Sequence, residues 1–290
     1  MLKRFIKILL VLLIVFGSLN SYAFQRPKWE IGFSNFYGQL PHYTGSNHYY
    51  QRSINLPYIV YRSNSADLSG EPKLFNDFNL NRRIELGFAA EVPVESDRMN
   101  EKSSDVNEGL PKKIIRDKNY TRRGMEDIQA LLGIGLKFKW YFGENFSASI
   151  PILSKNTFGG GFEHRGNSIS PGFAVDIFDR DSNYEFVFGV TWEFGDKNFN
   201  QTYYEVKPSQ EIDGRKSYKA KAGMISRNEF IEATAQLSKH LRLFGLYYWR
   251  KLNSSVIASS PLVKTMLNEG WVIGVIIPIL VSEDSVSRMK

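Results

Sequence analysis

The sequence predicts an all-β protein: a closed antiparallel transmembrane β-barrel of about 12 strands, preceded by a segment that directs export. Three observations predict it. Apolar and polar residues alternate with period two along many stretches of the chain. The links between those stretches are either short turns or long polar loops. After Ala23 no run approaches the length of a membrane-crossing helix; the longest, 271–281, is interrupted by Gly274 and Pro278.

The first element is an address. Lys3, Arg4 and Lys7 precede an apolar run at 8–16, and a more polar stretch ends in Ser21-Tyr22-Ala23. A cationic start, a short apolar core and small residues at the last positions make a secretory signal peptide over 1–23, cut after Ala23. A permanent membrane helix would need roughly 20 apolar residues, more than this run supplies. Cleavage removes three cations and lowers the net charge from +7 to +4. The remaining Lys and Arg alternate with acidic residues, so nucleic-acid binding has no electrostatic footprint. The absence of cysteine excludes a disulfide scaffold, a Cys-ligated metal centre, a Cys nucleophile and a lipoprotein anchor.

The barrel is expected over 24–282, with 283–290 as a short tail. Its clearest strand is 128–142. Ile128, Ala130, Leu132, Ile134, Leu136, Phe138, Trp140 and Phe142 share one face, and Gln129, Gly133, Lys137 and Lys139 share the other. A helix would set the lysines beside Phe138 and Trp140 and leave no coherent apolar stripe. Residues 84–92, 184–194 and 231–237 alternate in the same way. Shorter or noisier versions at 29–37, 54–61, 74–78, 146–152, 173–177, 218–224, 242–250 and 271–280 complete the set. Links at 143–144, 179–183 and 238–241 are short turns, whereas 95–126, 154–166 and 196–215 are long and polar.

Period alone does not say which face is wet, because a soluble barrel turns the same apolar residues inward. Three features favour lipid outside. Several strands approach the roughly 9–11 residues that cross a bilayer at a tilt. Trp29, Trp140, Tyr184 and Trp271 sit toward strand ends on the apolar faces, where amphipathic rings favour the interface. The opposite faces carry Gly, Thr, Gln and charges of both signs. Glu85, Glu91, Glu185, Glu193 and Glu232 are thus expected in a hydrated lumen, with Arg83, Lys137 and Lys139 as their partners.

Short motifs carry a resemblance. Tyr37-Gly38, His42-Tyr43-Thr44-Gly45-Ser46, Asn55-Leu56-Pro57-Tyr58 and Tyr61-Arg62 look like the opening of the MipA/OmpV family of Gram-negative outer-membrane proteins. Gly124-Met125-Glu126-Asp127-Ile128 and Ser260-Pro261-Leu262-Val263 resemble two later segments of that family. The resemblance spans nearly the whole mature chain. It implies an outer-membrane protein in contact with lipid. It also implies scaffold partners, a lytic transglycosylase and a peptidoglycan synthase; other members are described as porin-like or as adhesins. Read physically, Gly45 suits a turn, and Ser260-Pro261 suits a rigid exposed loop.

No catalytic, cofactor-binding or metal site emerges. His42 and His48 could share a metal only if their loop folds back, and no third ligand has a recognisable spacing. His164, after Gly159-Gly160-Gly161 and near Ser168 and Ser170, is the one arrangement with a hydrolase-like composition; a mobile external loop explains it better. Neither a G-x-S-x-G elbow nor a phosphate-binding loop is present. In the 95–126 link, Lys112, Lys113, Arg116, Arg122 and Arg123 suggest contact with lipopolysaccharide phosphates.

Overall fold

The computed structural model describes residues 27–62, 67–69, 77–81, 84–91, 121–129, 131–142, 145–157, 161–178 and 183–284. The expected signal peptide, the turn at 143–144, Lys112, Lys113 and Arg116 lie outside the described residues. Among the described residues, thirteen strands form one antiparallel sheet. They are β1 (Trp29–Pro41), β2 (Tyr49–Arg62), β3 (Asp67–Ser69), β4 (Asp77–Asn81), β5 (Ile84–Glu91), β6 (Leu131–Phe142) and β7 (Phe146–Thr157). After them come β8 (His164–Ile169), β9 (Gly172–Asp176), β10 (Tyr184–Gly195), β11 (Gly223–Ser238), β12 (Leu241–Lys251) and β13 (Leu267–Val281). One helix, α1 (Lys197–Tyr204), lies between β10 and β11. No described helix is long and apolar enough to cross a membrane.

The ladders run in a cycle. Except for β8 and β9, each strand pairs with the next in sequence, and β13 returns to pair with β1. Among the described residues the cycle is thin around β3, which β2 meets through Tyr61↔Leu68 and Arg62↔Asp67. β8 and β9 occupy a single position between β7 and β10: β8 covers the half toward Gly195 and β9 the half toward Tyr184. Pro171 separates them because it cannot donate to a ladder. Ser170 N–H and Pro171 C=O still bridge to Pro151 and Trp192.

The alternation read from the sequence decides which side faces out. Along β1, Trp29, Ile31, Phe33 and Tyr37 are exposed, whereas Glu30, Ser34 and Phe36 are buried. Phe33 is 62% exposed and its ladder neighbour Ile277 48%, while inward Glu30 is only 1% exposed. Ile134, Leu136, Trp140 and Phe142 on β6 likewise stand outside, with Lys137 and Lys139 on the opposite, half-buried face. The hydrophobic side chains line the exterior.

Four expectations are corrected. The strand expected at 218–224 holds only at its end: Tyr218 bridges to Val206, Ala220 is buried in a loop core, and β11 begins at Gly223. The 154–166 link is not a long loop, because β7 continues to Thr157 and β8 begins at His164. Its polar residues hide the strand pattern; inward Lys155, for instance, is buried with its ammonium over the Phe199 ring. Of the strand expected at 74–78, residues 74–76 lie outside the described residues and Asp77 and Phe78 open β4, while β3 at Asp67–Ser69 is an additional strand. The 196–215 link contains α1, whose Asp196 cap accepts from Phe199 N–H at 2.8 Å and from Asn167 N–H at 2.8 Å.

Candidate functional site

At the end of the sheet that carries the long links, the loops pack on one another. Tyr43 from the β1–β2 turn, Met125 and Ile128 before β6, and Phe199, Tyr203, Tyr204 and Val206 from the β10–β11 link share a core with Leu252, Ile257 and Leu262 from the β12–β13 link. None of these is more than 7% exposed. Loops from positions spread around the cycle of ladders thus meet in one shared core, called the cap below.

The cap gathers three motifs that lie far apart in the sequence. Gly45 takes φ +93°, a conformation that L side chains rarely adopt, and this bends the β1–β2 turn under the β12–β13 link. Gly45 C=O accepts from Lys264 N–H (2.7 Å) and Thr265 N–H (3.1 Å), and its N–H donates to Asn268 Oδ1. Asn268 Nδ2 donates to Ser46 C=O at 2.7 Å. Tyr43 Oη donates to Leu262 C=O (2.8 Å), Tyr204 Oη to Thr44 C=O (3.0 Å), and Ser260 Oγ to Tyr204 C=O (2.8 Å). Met125 and Ile128 complete the same core. The reading of Gly45 as a turn residue holds; Ser260-Pro261, expected in an exposed loop, contributes a fully buried Ser260 to the cap.

Two buried arginines pin the cap from within. Arg215 donates to the carbonyls of Thr121 (3.0 Å), Arg123 (2.9 Å) and Gln210 (2.7 Å), joining the link before β6 to the β10–β11 link. Arg122 donates to Tyr203 C=O (3.1 Å) and Glu126 C=O (3.0 Å). Arg122 is therefore a structural residue of the cap, not an exposed cation for lipopolysaccharide. Burial pushes the Arg215 pKa down, and the nearby Arg122 charge pushes it the same way.

Burial also raises Tyr43 from its ordinary 10.0 to about 12 and lifts Tyr204 well above 10.0. A tyrosine whose folded pKa is raised favours the neutral, folded form. Its contribution is complete below pH 10 and lost as the pH rises through about 12. The cap is expected to loosen over that alkaline window. Tyrosinate absorbance should show Tyr43 titrating together with cap opening, and Tyr43→Phe should flatten that loss; titration of Tyr43 near pH 10 in the intact cap would contradict it.

Below the cap the inner wall carries a second cluster. Tyr58 Oη donates to Glu30 Oε2 at 2.8 Å, and Arg242 Nη1 donates to Tyr58 Oη at 2.6 Å. Arg242 Nη2 lies 3.5 Å from Glu30 Oε2, with both side chains buried. Phe36, Phe244, Ile276 and Val272 pack around Tyr58, Phe36 and Phe244 edge to face at 5.7 Å. A Cβ at Gly274 would stand 2.3 Å from the Phe36 ring, so glycine makes room for it. Of the lumen carboxylates read from the sequence, Glu85 lies opposite Lys137 in register, and Glu193 accepts from Ser226 Oγ at 3.2 Å.

The histidines do not assemble a site among the described residues. The His42–His48 turn does fold back, with rings 6.1 Å apart, yet no group of three metal-ligating side chains is found. His164 Nδ1 meets Ser154 Oγ at 3.2 Å; Ser168 is buried on β8 instead. His240 Nδ1 bonds to Pro278 C=O at 2.8 Å.

A family model described as MltA-interacting protein MipA matches residues 31–277. A search among curated proteins finds no match. Among solved structures, an outer membrane channel from Pseudomonas putida F1 is similar with TM-score 0.40 and 12% identity, over 87% of this chain and 96% of that one. OprB from Pseudomonas putida is similar with TM-score 0.31 and 14% identity, over 77% and 47%. OprG from Pseudomonas aeruginosa is similar with TM-score 0.24 and 8% identity, over 86% and 91%.

Proposed function

The chain belongs to the MltA-interacting protein MipA family, and from that membership we propose a non-enzymatic outer-membrane barrel that acts as a scaffold for peptidoglycan-remodelling enzymes. In this reading 1–23 is a cleaved signal peptide, 24–282 closes into one membrane barrel of twelve staves, and 283–290 is a tail. The partners are a lytic transglycosylase, as the family's name suggests, and a peptidoglycan synthase.

The outer surface supports the membrane setting. Outward aromatic residues form two rows: Trp29, Phe142, Phe146 and Tyr184 near the short turns, and Tyr37, Trp271, Trp249 and Trp192 near the cap. On β1 and on β10 the rows lie eight residues apart, from Trp29 to Tyr37 and from Tyr184 to Trp192. Eight residues run about 27 Å along a strand, or about 21 Å vertically at a tilt of about 40°, close to the apolar band of outer-membrane barrels. Such a surface is costly in water and stable in acyl chains.

The observation that carries the scaffold reading is the cap. A barrel whose mouth is crossed by a buried apolar core has little use as an open conduit, so its working surfaces are its rims. Purified protein in planar bilayers is therefore expected to give no stable single-channel steps, and the folded barrel is expected to retain a lytic transglycosylase on a column. Steady conductance by the wild type, with no retention, would reverse the order of the two readings. That second reading, a porin-like passage for small polar solutes, draws on the half-buried lumen residues Lys137, Lys139, Glu185 and Glu232.

A further inference from the structure

On the outside of β1 and β2 one patch departs from the apolar rule. Asn35, Gln51, Ser53 and Asn55 are exposed there, with Gln39 half-buried beside them. Asn35 stands directly opposite Asn55 in the ladder, between Phe33 and Tyr37 on its own strand. Its Nδ2 donates to Asn55 Oδ1 at 2.6 Å and to Ser53 Oγ at 2.9 Å. Tyr37 Oη donates to Gln51 Oε1 at 3.2 Å, and Gln51 Nε2 to Gln39 Oε1 at 3.2 Å. On the β13 side the same level is apolar: Val275 on β13 is opposite Asn35, and Leu243 on β12 is opposite Val275.

An amide–amide hydrogen bond uses one N–H group and one C=O. It leaves Asn35 Oδ1 on one strand and Asn55 Nδ2 on its neighbour with no partner among the described residues. Acceptor and donor thus lie side by side at one height. A two-fold axis parallel to the barrel axis would set the acceptor of one copy against the donor of the other, and do so twice. The pattern is self-complementary.

We propose that this seam is where a second copy of the chain docks, in an isologous contact centred on Asn35 and Asn55. The proposal rests on the membrane reading above, since an unshared amide is costly in hydrocarbon and cheap in water. A dimer buries both amide pairs away from acyl chains and gives each the partner it lacks. The flanking Tyr37–Gln51–Gln39 chain extends the same polar strip toward the cap, where solvent supplies the remaining bonds.

The chain has no cysteine, so single-cysteine variants report on one contact each. Copies carrying Asn35→Cys and Asn55→Cys, produced together and oxidised in outer-membrane fractions, are expected to form a disulfide dimer, whereas Leu243→Cys copies form none. Asn35→Leu combined with Asn55→Leu is expected to weaken dimerisation in detergent by roughly ten-fold, with heat-modifiable mobility on gels reporting the intact barrel. A membrane-integrated chain that shows no dimer beyond the Leu243→Cys control, or that crosslinks through Asn55→Cys to a different envelope protein, overturns the seam alone. A folded chain that stays in solution without detergent overturns the membrane reading, and the seam with it.

Discussion

Replacing Gly45 with valine is expected to spring the cap open. At φ +93° a Cβ is strained wherever it points, and here it would stand 3.1 Å from both methyl carbons of Val263. A non-glycine residue held in such a region costs about 1–3 kcal/mol, and a β-branched one belongs at the upper end. The backbone at this residue also carries three bonds, to Asn268, Lys264 and Thr265, that cannot all survive a shift in φ. The expected outcome is a lower melting temperature in detergent and the appearance of conductance steps absent from the wild type. Gly45→Ala should fall between the two. A Gly45→Val barrel as silent and as stable as the parent would show that the cap does not depend on this turn.

The largest loss of stability is expected for Arg242→Ala. Its guanidinium is buried with the Glu30 carboxylate and the Tyr58 hydroxyl, and removing it takes the Arg242 charge away from a carboxylate that is 1% exposed. Breaking a buried ion pair from one side costs about 3–5 kcal/mol, whereas replacing both members with apolar residues of similar size is often close to neutral. Arg242→Ala should therefore unfold at markedly lower denaturant than the wild type, and Glu30→Met with Arg242→Met should recover most of the difference. Equal midpoints for Arg242→Ala and the parent would mean that the pair is hydrated in solution.

Much of the wall was legible in the sequence because a membrane-facing strand has to repeat one simple pattern. Trp29, Ile31 and Phe33 or Ile134, Leu136 and Phe138 recur at every second residue, and the structure turns these faces outward. The pattern fails where both faces touch protein. Ser154-Lys155-Asn156-Thr157 continues β7 beside the cap, and its polar side chains find partners there, so no contrast in polarity marks the strand. The cap was invisible for a different reason. Its core is built from single residues, such as Tyr43, Met125, Tyr204 and Leu262, contributed by separate loops, and no period links residues so far apart. Two signals pointed toward it. Apolar residues such as Ile257 and Leu262 stand inside polar links with no strand to explain them, and Asp196 precedes Phe199 and Tyr203 at the spacing of a capped helical turn. His164, read as a loop residue because it follows a glycine run, instead opens β8 opposite Asn156, since its polar neighbours hid the strand.

The pairing of β1 with β13 sets the order in which this molecule can be built. Glu30 lies opposite Val281, Lys28 N–H reaches Asp284 C=O at 2.8 Å, and some 250 residues separate these partners along the chain. No intermediate missing its final strand can satisfy the free edge of its first, so the wall has to be sealed last, by its two ends. Such long-range closure is slow, since loop entropy must be spent before the contacts reward it. Until they meet, the unpaired edges of β1 and β13 are open to pairing with other chains, which makes aggregation the characteristic hazard of folding this sheet.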